Sequence, residues 1–64
     1  MAFADNVKCL REKKEYSQAE LARLVGVSQQ MINDYEKGKK LPNIITGVDL
    51  ARRLGTTAEL LVYE

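Results

Sequence analysis

The chain has 64 residues, which leaves room for one small domain spanning 1–64 and excludes a two-domain enzyme. One cysteine, Cys9, and no histidine exclude an intrachain disulfide framework and leave a structural zinc site without ligands, so neither metal nor cofactor is expected. Hydrophobic residues at 45%, charged residues at 30% and a net charge of +1 describe a chain that folds, with no overall charge pointing to a partner.

Helix one is expected from Asp5 to about Lys14, with Phe3, Val7 and Leu10 at the i, i+4, i+7 spacing of one face and Cys9 turned away from it. Ser17 with Glu20 three residues on is a capping box, and Leu21, Ala22, Leu24 and Val25 form the apolar face of helix two behind it. Gly26 suits the left-handed end of that helix, and Ser28 follows at once to cap helix three, whose apolar side is Ile32 and Tyr35. Gly38 stops helix three. Asn43 caps helix four, where Ile44, Val48, Ala51 and Leu54 form the expected stripe despite Gly47, which costs about 1 kcal/mol relative to alanine. After Gly55, Thr57 caps a last short helix carrying Leu60 and Leu61. No strand alternation or repeat interrupts this order, so the fold class is all-α with five short helices.

No apolar run approaches the ~18 residues of a membrane span, and the first residues lack the basic start and apolar core of a secretion signal, so a cytoplasmic protein without a membrane partner is expected. The end of the chain just after helix five fits either a complete small protein or one portion of a longer one.

Two short helices joined across a glycine turn describe a helix-turn-helix. From Gln18 to Lys37 the sequence reads QAELARLVGVSQQMINDYEK, with small Ala22 at the helix crossing, Gly26 in the turn, Val27 as the apolar plug and Ile32 as the core anchor. With the flanking LPNI and LARRLGTTAELL segments, nearly the whole chain resembles the Cro/cI-type family, the lambda-repressor-like or XRE helix-turn-helix domains. The resemblance implies a compact five-helix bundle in which helices two and three form the helix-turn-helix. It further implies DNA binding, with helix three in the major groove, by a dimer acting in transcriptional regulation. Gly47, Thr56 and Met31 depart from the family's usual residues at their positions.

Read physically, Gln29, Gln30, Asn33 and Asp34 share one face of helix three opposite Ile32 and Tyr35. A solvated polar face is the default for such a pattern. Inside a helix-turn-helix, base reading is favoured instead, because carboxamides can bond adenine bidentately and a carboxylate can accept from cytosine. Ser28, Gln29, Gln30, Asn33 and Asp34 are therefore the candidate base contacts. Ser17 and Gln18 open helix two, whose free N–H groups and positive dipole end favour a phosphate, and the resemblance implies a phosphate contact at Gln18. Lys37, Lys39 and Lys40 follow helix three and serve either the sugar-phosphate strand or solubility.

Arg11 and Glu36 each fall on an apolar stripe, where a charge needs a partner or a route to solvent. Pairing with each other is the economical solution, and the resemblance implies the same. Leu61, Val62 and Tyr63 are more apolar than a chain end requires and are candidates for a homodimer interface, although Leu61 serves equally well to close the monomer core. The expected function is a sequence-specific double-stranded DNA-binding transcriptional regulator, a repressor, on a near-palindromic operator. The alternative is a protein-interaction module such as an antitoxin or adaptor built on the same fold. No small-molecule ligand is implied, and with no histidine and no deep site for tuning carboxylates, catalysis is not expected.

Overall fold

Four of the five helices start where a side chain takes up a free N–H group of the first turn, as helix termini require. The computed structural model describes residues 2–63, with helices α1 (Ala2–Lys13), α2 (Gln18–Val25), α3 (Gln29–Glu36), α4 (Ile44–Arg53) and α5 (Ala58–Tyr63). At α2 both halves of the capping box form: Ser17 Oγ accepts from the Glu20 N–H at 3.0 Å, and Glu20 Oε1 accepts from the Ser17 N–H at 2.9 Å. The Ser17 backbone N–H, then its hydroxyl, holds the Glu20 carboxyl below its ordinary range. Ser28, Asn43 and Thr57 accept in the same way from Met31, Thr46 and Leu60. Gly26 ends α2 at φ 82°, where a side chain would be strained, and its N–H donates to the Ala22 carbonyl at 2.8 Å.

The core draws on every helix. Phe3 and Val7 of α1, Leu21 and Ala22 of α2, Ile32 and Tyr35 of α3, Leu50 and Ala51 of α4, Leu54 just beyond it and Leu61 of α5 are all buried together. The helices α2 and α3 pack on each other, α1 lies against α3 and α5, and α4 closes against α2 and α5. The Phe3 ring meets Tyr35 edge-on, with centroids 6.4 Å apart. One turn further along α1, Asn6 Nδ2 donates to the Leu61 carbonyl at 2.9 Å and ties α5 down.

Three expectations are corrected by this packing. Helix one begins at Ala2, earlier than expected, because Phe3 and Ala4 are both needed in the core. On α4 only the later half of the expected stripe is inside: Ala51 and Leu54 are buried, with Leu50 beside them, while Ile44 is 82% exposed and Val48 is also outside. The helix is rotated so that Leu50 and Leu54 meet α2 and α5, and at about 100° per residue this carries Ile45 to the opposite side. The third correction concerns the proposed dimer contact Leu61, which is 1% exposed and closes the monomer core, leaving Val62 and Tyr63 outside. Leu60, its neighbour on this six-residue helix, is exposed.

Gly47 lies within α4, and a Cβ there would meet only Pro42 Cγ at an ordinary 3.8 Å. Gly47→Ala should therefore gain helix propensity without a clash, about 1 kcal/mol and roughly 4 to 8 °C in Tm. A melting temperature below that of the parent protein would show that the Pro42 contact has no room for a methyl group.

Candidate nucleic-acid interface

The capping serine Ser28 puts Gln29 and Gln30 in the first, exposed turn of α3, and one turn later Asn33 projects along the same side. Gln18, at the start of α2, faces them, so that Gln18, Gln29, Gln30 and Asn33 line one open polar hollow. Four neutral carboxamides thus stand together where two helices meet, each able to donate and accept.

This arrangement is held from below by one carboxylate. Glu36 Oε2 accepts from Arg11 Nε at 2.6 Å and Glu36 Oε1 from Arg11 Nη2 at 3.1 Å, a two-pronged contact between side chains only 12% and 4% exposed. Arg11 Nη1 donates to the Tyr16 carbonyl at 2.9 Å, and the bonding to Glu36 raises the guanidinium pKa further above its ordinary value. Gln18 Nε2 donates to the same Glu36 Oε1 at 3.1 Å and lies 3.5 Å from Asn33 Oδ1. One carboxylate at the end of α3 therefore fastens that helix to α1 and to the start of α2, which sets the angle at which α3 is presented.

Ser17 and Ser28 are exposed, and each Oγ already accepts from a backbone N–H, leaving the hydroxyl hydrogen free to donate. Lys37, Lys39 and Lys40 are all exposed just beyond α3. Asp34 departs from the expectation that placed it among the base contacts. It is 8% exposed, its Oδ1 accepts from Gln30 Nε2 at 3.0 Å, and its Oδ2 faces Lys40 Nζ at 3.9 Å, so it lies too deep to meet a base edge. One turn of α3 after Gln30, its position points it between the polar face and the core rather than outward.

Sequence reasoning missed an apolar surface. Leu41, Ile44, Ile45 and Val48 are exposed, and Ile44 also borders a groove shared with Val62 of α5. The adjacent pair Ile44-Ile45 carried the signal, since at about 100° per residue Ile45 lies on the side of the helix opposite Leu54 and one stripe cannot bury both. Among the described residues no helix is long and apolar enough to cross a membrane, and no group of three His, Cys, Asp or Glu side chains could hold a metal.

Residues 7–61 match a family model described as helix-turn-helix. The chain is 37% identical over 57 residues to an uncharacterized HTH-type transcriptional regulator, y4dJ, of Sinorhizobium fredii, covering 89% of this chain and 74% of that protein. It is 33% identical over 60 residues to the SPbeta prophage-derived uncharacterized HTH-type transcriptional regulator YonR of Bacillus subtilis, covering 94% of this chain and 56% of that protein. The chain therefore spans little more than half the length of that relative. Among solved structures, the P22 c2 repressor in complex with a synthetic operator superimposes with a TM-score of 0.95 at 25% identity, over 98% of this chain and 96% of that one.

Proposed function

The chain belongs to the helix-turn-helix family, and from that premise we propose that it is a sequence-specific DNA-binding transcriptional regulator, working in the cytoplasm as a repressor, with α3 in the major groove. The observation that carries this reading is the hollow lined by Gln18, Gln29, Gln30 and Asn33 at the exposed start of α3. Carboxamides match base edges, and the exposed lysines just beyond α3 are suited to the phosphates that fix the register. Ser17 and Gln18, at the N-terminus of α2, take a phosphate, and Ser28 donates beside the glutamines. The similar P22 c2 protein is a repressor held with an operator, which supports the direction of regulation. The chain is read as a binder rather than an enzyme.

Dimerisation follows from how little DNA one copy can read. One short helix reaches only a few base edges, too few to pick a site from ~10⁶ competitors, and a second copy doubles them. The apolar surface of Ile44, Ile45 and Val48, continued by Val62 and Tyr63 of α5, is suited to a second copy of this chain. Two recognition helices would then lie ~34 Å apart on one side of a near-palindromic duplex.

Selection of bound sites from a randomised duplex pool tests the reading. It should yield two inverted half-sites whose centres are about 10 to 10.5 base pairs apart. Neutralising Lys37, Lys39 and Lys40 together should reduce the slope of log affinity against log salt by about 0.9 for each phosphate that these side chains pair with. Recovery of no preferred sequence would overturn the function, a single half-site bound without cooperativity would overturn the dimer, and an unchanged slope would leave the lysines as solubility charges.

A further inference from the structure

We propose that Asp34 is a positioning residue that sets the base specificity of α3, by holding the Gln30 carboxamide with an adenine-complementary edge outward. The inference rests on the DNA-binding reading above. Asp34 is nearly buried, and an ionised carboxylate has only acceptors to offer. Gln30, one turn earlier on α3 and exposed, donates from Nε2 to Asp34 Oδ1 at 3.0 Å. Turned over, the carboxamide would set Oε1 against a carboxylate oxygen, acceptor against acceptor, so this orientation of Gln30 is enforced by charge.

Of the two hydrogens on Nε2, the one trans to Oε1 reaches the carboxylate while keeping Oε1 away from it. Oε1 and the remaining N–H then stand side by side on the outward edge, one acceptor beside one donor. Adenine offers the complement in the major groove, an N6 amino donor beside the N7 acceptor. Guanine offers two acceptors, N7 and O6, and would need two donors, one of which Asp34 occupies. Cytosine and thymine can satisfy only one half of the edge. Lys40 Nζ, 3.9 Å from Asp34 Oδ2, offsets the negative charge that the carboxylate would otherwise bring close to a phosphate. Asp34 thus acts on sequence preference without touching a base.

The test compares sites selected from a randomised duplex pool by the parent chain, Gln30→Ala and Asp34→Asn, each checked for folding by circular dichroism. The parent should select adenine at one position of each half-site, and Gln30→Ala should lose the preference at that position alone. An asparagine can donate as well as accept, so Asp34→Asn frees the carboxamide to turn. Its preference for adenine over guanine at that position should fall about tenfold, the worth of one side of a bidentate pair. With the parent chain, replacing that adenine by 7-deazaadenine should weaken binding by a similar factor, because N7 is removed. The proposal is overturned if the Gln30-dependent position selects another base or does not exist, or if folded Asp34→Asn keeps the adenine preference. Should Asp34→Asn fail to fold, the parent chain decides alone, and undiminished binding to the 7-deazaadenine duplex overturns the proposal. Selection of no sequence by the parent chain is a separate outcome, in which the DNA-binding reading fails and takes the role of Asp34 with it.

Discussion

Glu36→Ala should cost about 3 to 5 kcal/mol of stability, because it strands the Arg11 guanidinium among groups that leave its side chain 12% exposed. A domain of this size has roughly 3 to 10 kcal/mol in total, so the variant loses a large share of its stability. The effect is larger than that of an ordinary surface pair because Glu36 serves three donors: Arg11 Nε, Arg11 Nη2 and Gln18 Nε2. Exchanging both charges for apolar residues, Arg11→Met with Glu36→Leu, should cost far less than the two single alanine changes added together, since no charge is then left unpaired. Chemical denaturation of the single and double variants measures this directly. A Glu36→Ala protein that unfolds at the denaturant concentration of the parent would show that the pair contributes no more than an exposed one.

Leu61→Ala should destabilise the monomer by about 2 to 5 kcal/mol, the usual cost of emptying a closed core position. Leu61 is 1% exposed, its carbonyl is held by Asn6, and α5 has only six residues with which to stay docked. Its neighbours predict the opposite behaviour. Val62→Asp and Tyr63→Ala change exposed side chains and should shift stability by no more than about 0.5 kcal/mol, while weakening cooperative occupation of paired half-sites. Thermal melting and a titration on paired and single half-sites separate the two effects. A Leu61→Ala protein as stable as its parent but no longer cooperative would move Leu61 from the core to the dimer surface.

The sequence by itself determines where the helices begin and end, because those signals are local. A serine, threonine or asparagine accepts from the N–H three residues on, and a glycine at φ 82° turns the chain at Gly26, whatever surrounds them. The helix-turn-helix between Gln18 and Lys37 is legible for the same reason, its caps, turn and plug all lying within twenty consecutive residues. The contact between Arg11 and Glu36 is legible too, since each charge breaks an apolar stripe and pairing satisfies both. What only the tertiary structure decides is which side of a short helix faces inward. In α4 and at its C-cap the residues Ile44, Ile45, Val48, Leu50, Ala51 and Leu54 cover more than one face, so periodicity allows several rotations and packing against α2 and α5 selects the one that buries Leu50 and exposes Ile44. The same holds for Leu60 against Leu61 on α5. Asp34 is the clearest case: its spacing places it at the edge of the polar face of α3, and only the neighbouring helices decide that this edge is covered. Burial turns a candidate base contact into a group that holds Gln30, because a side chain's chemistry belongs to its residue type while its exposure belongs to the elements packed around it.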